Sequence, residues 1–156
     1  MVGSMDELPF EPETFDLIWS EGAIYNMGFK GGLDYLRPFL KDGGVIALSE
    51  ITWLTGERPR EIEDYWNTEY PEIATAAEKI KVLGDSGYQL MGHFILSEES
   101  WINNYYGPLE RTLISLEKSN SLSGDIAEVV KAYHQEIDLY RRYKDYIGYG
   151  FYIAKK

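Results

Sequence analysis

The 156-residue sequence predicts an α/β fold that contains a parallel βαβ unit. Two apolar runs and the segment between them carry that prediction. Phe15-Asp16-Leu17-Ile18-Trp19 and Val45-Ile46-Ala47-Leu48 are short and bounded by polar residues, as expected of central strands covered on both faces. Between them Leu33, Leu36, Phe39 and Leu40 recur at helical spacing. Strand, helix and strand with short connections make a βαβ unit, whose strands run parallel through a right-handed crossover.

The elements follow in order. Leu8-Pro9-Phe10 is a turn, because Pro fixes φ and lacks a donor. Gly28, Gly31 and Gly32 punctuate the loop after the first strand. Asp42-Gly43-Gly44 is expected to stop the first helix, with Gly supplying a left-handed residue. The second strand runs on into Ser49-Glu50-Ile51. Pro59 suits a helix first turn, continued by Glu61 to Trp66. Ile73, Ala76, Ala77, Ile80 and Leu83 keep helical spacing until Gly84 and Gly87. Tyr88 to Leu96 reads as a third strand with a weak point at Gly92. Residues 99–147 read as helical and rich in Tyr, broken near Gly107-Pro108 and at Ser119–Gly124. In the second of these segments an apolar stripe is expected through Ile126, Val129, Val130, Tyr133, Ile137 and Tyr140. Gly148 to Ala154 is a closing strand. Residues 1–156 form one domain by length.

Composition narrows the function classes. A hydrophobic content of 44% with 15% aromatic residues argues for a packed core. The net charge of −11 repels phosphate backbones and anionic lipid, so no nucleic-acid or membrane partner is expected. The excess lies in the first hundred residues, and the remainder is nearly balanced. The absence of cysteine removes disulfides, thiolate metal sites and thiol nucleophiles. His93 and His134 are too isolated for a metal signature, and no metal is expected. No signal-peptide pattern or membrane-length apolar run is read, so a cytoplasmic location is the default.

Gly3-Ser4-Met5-Asp6-Glu7-Leu8-Pro9-Phe10, Phe15 to Trp19, and Leu36-Arg37-Pro38-Phe39-Leu40-Lys41-Asp42-Gly43-Gly44 together resemble class I S-adenosylmethionine-dependent methyltransferases. Trp19-Ser20-Glu21-Gly22-Ala23-Ile24-Tyr25-Asn26 is similar to a bacterial small-molecule group like the ubiquinone/menaquinone-biosynthesis enzymes. The specific likeness covers residues 3–50. It implies a partial Rossmann-like sheet holding strands four to seven, at residues 15–20, 44–50, 88–97 and 149–155, with the last antiparallel. Residues 99–147 are then a helical insertion before the last strand, either a pocket cap or a cover for a sheet face. The family's Gly-x-Gly-x-Gly loop is not in this sequence. The expectation is therefore a carboxyl-terminal part of an enzyme whose beginning is missing.

The resemblance implies S-adenosylmethionine as cofactor and a small-molecule methyl acceptor as partner. Ser4 and Met5 would lie beside the adenine. Trp19, Glu21, Gly22 and Ala23 would lie at the carboxyl edge of the first strand, with Trp19 alternatively core. Methyl transfer needs an in-line nucleophile and, for a protonated acceptor, a nearby base. Glu21, Tyr25, Glu50, His93 and His134 are the candidates. Tyr105, Tyr106, Tyr133, Tyr140 and Tyr143 either line an acceptor pocket or pack as core. Two functions compete. One is a methyltransferase, present here as a fragment inactive alone. The other is a non-catalytic module that self-associates through an exposed sheet edge.

Overall fold

The computed structural model describes residues 3–118 and 123–156. Strand β1 (Phe15–Glu21) leads through a short 3₁₀ turn (Ile24–Met27) into helix α1 (Phe29–Leu36) and strand β2 (Leu40–Trp53). Helix α2 (Arg60–Glu69), the two-residue strand β3 (Ala74–Thr75) and helix α3 (Ala76–Asp85) follow. After strand β4 (Gln89–Ile95) comes one long helical passage: α4 (Glu98–Trp101), a π-helical turn (Ile102–Tyr106) and α5 (Gly107–Lys118). Helix α6 (Gly124–Tyr143) and strand β5 (Ile147–Lys155) end the chain.

The sheet order is β1-β2-β5-β4, with β3 beside the far end of β2. β1 and β2 are parallel, whereas β5 is antiparallel to both β2 and β4. The predicted Rossmann-like arrangement with an antiparallel last strand is therefore present, and β5 inserts between β2 and β4. β4 carries a bulge between Leu90 and Gly92, where the sequence showed its weak point.

Strand alternation splits the sheet residues between two faces. On one face Ile46, Leu48, Tyr152 and Ala154 pack against Phe29, Leu33 and Leu36 of α1 and Leu83 of α3. Helix α3 starts from a capping box, Thr75 with Glu78, which satisfies its first amides. Near the carboxyl ends of β1 and β2 lies a second core. There Ile51, Trp53 and Ile147 meet Ile62 of α2, Leu113 of α5 and Val130, Ile137 and Tyr140 of α6.

Four expectations are corrected. β1 is an edge strand and is not covered on both faces: Leu17 is 51% and Trp19 61% exposed, because α1 and α3 lie on the opposite face. Asp42-Gly43-Gly44 does not stop the helix, which has already ended in a 3₁₀ turn at Phe39. It forms a bulge inside β2, where pairing jumps from Phe15–Leu40 to Leu17–Val45 and Gly43 takes a φ of 75°. Pro59 and Ile73 stand just outside the helices expected to include them: Pro59 is the α2 N-cap and Ile73 precedes β3. Gly107-Pro108 does not break the helix. The Gly107 amide donates to the Ile102 carbonyl in the π-helical turn, and a Cβ on Gly107 would sit 2.8 Å from that oxygen. Of the second expected break, residues 119–122 lie outside the described residues.

Candidate functional site

The carboxyl ends of β1 and β2 and the start of β5 open into a cavity of about 620 Å³. β1 contributes Glu21, followed by Gly22, and the 3₁₀ turn contributes Tyr25. β2 contributes Ser49, Glu50 and Ile51, and β5 contributes Tyr149. The helical passages close the other side with Trp66, Glu69 and Tyr70 from α2 and its cap, Trp101 and Tyr105 before α5, and Tyr133 and Glu136 from α6. A hollow of about 490 Å³ between α2 and α6 adjoins it, sharing Glu69, Tyr133 and Glu136.

The turn after β1 is shaped by backbone needs. Gly22 has a φ of 52°, and its amide donates to the Ser49 hydroxyl at 3.0 Å, tying β1 to β2. Glu21 is exposed at the rim and accepts from the Trp19 indole at 2.6 Å. Gly28, with a φ of 74°, then turns the chain into α1, whose first amide (Phe29) donates to Glu72 at 2.8 Å.

Burial sets the electrostatics. Glu50 is 1% exposed, and neither carboxylate oxygen has a hydrogen-bond partner. Lys79, equally buried, stands 3.8 Å away and lies over the Phe29 ring at 4.4 Å. Burial pushes Glu50 above the usual carboxylate range, opposed by the Lys79 charge. Burial likewise lowers Lys79 to about 8, opposed by Glu50 and Glu72. Tyr70 leans toward Glu50 without reaching hydrogen-bond geometry, and burial, then the Glu50 charge, push its hydroxyl up. Burial also raises Glu136, which accepts from the Tyr106 hydroxyl at 2.8 Å. Buried Glu50 and half-buried Glu136 are thus better proton acceptors than exposed carboxylates.

Of the residues picked from sequence, Glu21, Gly22, Tyr25, Glu50, Tyr105 and Tyr133 meet in this cavity. The others stand outside its lining. Ser4 is exposed and bonds Asp6. Met5 is half-buried in the same loop. Trp19 is 61% exposed, with its ring tilted against Phe151 at 5.3 Å, so it is not core. The Ala23 carbonyl accepts from the Asn26 side chain. His93 is an exposed residue of β4 stacked on Tyr152. His134 pairs with Glu117 at 3.2 Å across α5 and α6. Tyr106 and Tyr140 are core, and Tyr143 bonds Glu61 on the surface. Sequence reading missed Trp66, Glu69, Tyr70, Trp101, Glu136 and Tyr149. Tyr133 and Glu136 sit three apart on one helix and so share a face, the one local signal available.

Among the described residues no helix is long and apolar enough to cross a membrane. No family model and no curated protein matches the sequence. Solved structures do match. YjhP from E. coli aligns with a TM-score of 0.75 at 22% identity, covering 91% of this chain and 59% of its own. An S-adenosylhomocysteine complex of a SAM-dependent methyltransferase from Geobacter sulfurreducens gives 0.73 at 19%, covering 91% and 58%. The cyclase SpnF gives 0.72 at 18%, covering 100% and 54%. The chain therefore has the Rossmann-like fold of class I SAM-dependent methyltransferases. It spans little more than half the length of these structures. A cyclase among them illustrates that one fold hosts different reactions.

Proposed function

We propose that this chain carries the acceptor pocket and part of the cofactor side of an S-adenosylmethionine-dependent small-molecule methyltransferase. The cavity at the carboxyl ends of β1 and β2 carries the reading, since ligands of open α/β sheets bind at that edge. Its size suits a small organic molecule. The residues present fit the cofactor's chemistry. Gly22 offers a backbone without a side chain, and Glu21 offers an exposed carboxylate to a cofactor bearing sulfonium and ammonium charges. Trp19 and Ala23 flank that rim, and Ser4 and Met5 belong to the adenine side. S-adenosylmethionine supplies an electrophilic methyl group when bound. The chain's own part is to orient the acceptor, exclude water with its aromatic walls and take up a proton at Glu50 or Glu136.

The 156-residue chain alone should hold the cofactor weakly and not turn over, since it contains no Gly-x-Gly-x-Gly segment. The test has two arms. The reading frame upstream should encode that segment. Its extended product should bind S-adenosylhomocysteine, by calorimetry, at least about tenfold tighter than the 156-residue chain. A frame without the segment and an extended product without affinity would overturn the reading.

One observation favours a second reading, self-association. β1 is a sheet edge, Leu17 and Trp19 on it are exposed, and the apolar surface runs on across the sheet through Phe151 to exposed Phe94 on β4. Sedimentation should then show concentration-dependent dimers that Trp19→Glu abolishes. A wild-type chain that stays monomeric as concentration rises removes this reading.

A further inference from the structure

We infer that the cavity selects an organic cation: its ligand is an amine, charged in water and carrying no anionic group. The inference rests on the methyltransferase reading for the word acceptor, and on the cavity alone for the charge. Four carboxylates line the space, from Glu21, Glu50, Glu69 and Glu136, and no Lys, Arg or His does among the described residues. The neighbouring cation, Lys79, is already engaged by Glu50. It also donates to the Glu72 carbonyl at 3.3 Å. A phosphorylated or carboxylated ligand would therefore meet repulsion without a compensating donor.

Aromatic rings supply the second half of the recognition. Trp101 packs at 4.3 Å on Tyr149 and at 5.1 Å on Tyr105, forming a continuous aromatic wall. Such faces attract an alkylated ammonium through their quadrupoles while tolerating its methyl groups. A neutral apolar ligand would need the rings but not the acids. The acids carry a cost of their own: Glu69 repels Glu136, adding to the burial that already raises it. Both oxygens of buried Glu50 lack hydrogen bonds at the cavity wall. A bound cation relieves both.

The chemistry balances. A protonated amine passes one proton to a cavity carboxylate and exposes its lone pair. That pair forms the N–C bond as the methyl C–S bond breaks, and the C–S electrons remain on sulfur. The methylated product carries the positive charge away.

Calorimetric titration of the 156-residue chain with choline chloride and with 3,3-dimethylbutan-1-ol, its neutral isostere, tests the charge directly. Choline should bind at least about tenfold tighter, a difference within the range of a desolvated cation–π contact plus an acidic partner. Glu136→Gln should weaken choline severalfold and leave the alcohol unchanged. Tyr105 is 42% exposed, so its variants test the wall without threatening the core. Tyr105→Phe should keep choline binding and Tyr105→Leu should lose it. Equal binding of the alcohol, or tighter binding of 3,3-dimethylbutanoate, overturns the inference. Choline binding needs no cofactor, so the two readings fail separately. Choline affinity without S-adenosylhomocysteine affinity in the extended product leaves a cation site and removes methyl transfer. The reverse keeps methyl transfer and removes the amine.

Discussion

Replacing Lys79 by Met should destabilise the protein by about 3 kcal/mol or more in urea unfolding, the cost expected when one partner of a buried ion pair is removed. Both members are 1% exposed, and Glu50 has no other partner to take over. The loss stays at the lower end because the Glu50 carboxyl, already raised by burial, can take up a proton. Lys79→Met combined with Glu50→Gln should recover most of the loss, since neither variant residue then strands a charge. The pH dependence has a definite sign. Lys79 is held near 8 in the folded chain against 10.5 for the free side chain. Between those values the unfolded chain binds more protons, so stability should rise with pH across that window. Glu50 acts oppositely: raised above 4.5, it holds its proton longer when folded, so stability falls as pH rises from 4.5 through its folded value. Wild type measured against the double variant isolates both slopes. A flat difference from pH 4 to 11 would mean that the pair does not control stability.

Gly28→Ala should cost about 2–4 kcal/mol, combining backbone strain with a lost helix cap. At φ 74° and ψ 150° Gly28 occupies a region that L residues avoid. An added Cβ would also collide with the Glu72 carboxylate, which accepts from the Phe29 amide at the start of α1. Gly28→Ala with Glu72→Ala removes the collision but keeps the strain, so it should recover little. Gly31→Ala, at a position with open space around it, is the control and should be near neutral. Thermal unfolding of the variants reads both. Loss of order should reach the 3₁₀ turn bearing Tyr25, visible in near-ultraviolet dichroism.

Much of the scaffold was legible from local patterns. The runs at Phe15 and Val45, the closing strand after Gly148 and the helical spacing from Ala76 to Leu83 all became the expected elements. Glu21, Gly22, Tyr25 and Glu50 were singled out through the family resemblance, and all four line the cavity. Two of the errors share a source. Exposure of Trp19 and the place of Gly43 in a bulge depend on what packs across the sheet, which the hydrophobic period of a single strand does not encode. The Gly107-Pro108 pair was misread because a π-helical turn absorbs a Pro that an α-helical ladder would not.

By itself the sequence determined the type and order of elements and the acidic character. These follow from short-range periodicity, turn residues and composition. Only the tertiary structure decided that α4, α5 and α6 fold back over the strand ends. That packing brings Trp101, Tyr105 and Glu136 against Glu50 and Tyr149 and makes one acidic, aromatic cavity. The physical reason is that no local rule relates residues so distant along the chain. Their meeting depends on which apolar faces α2, α5 and α6 bury together against the far end of β2.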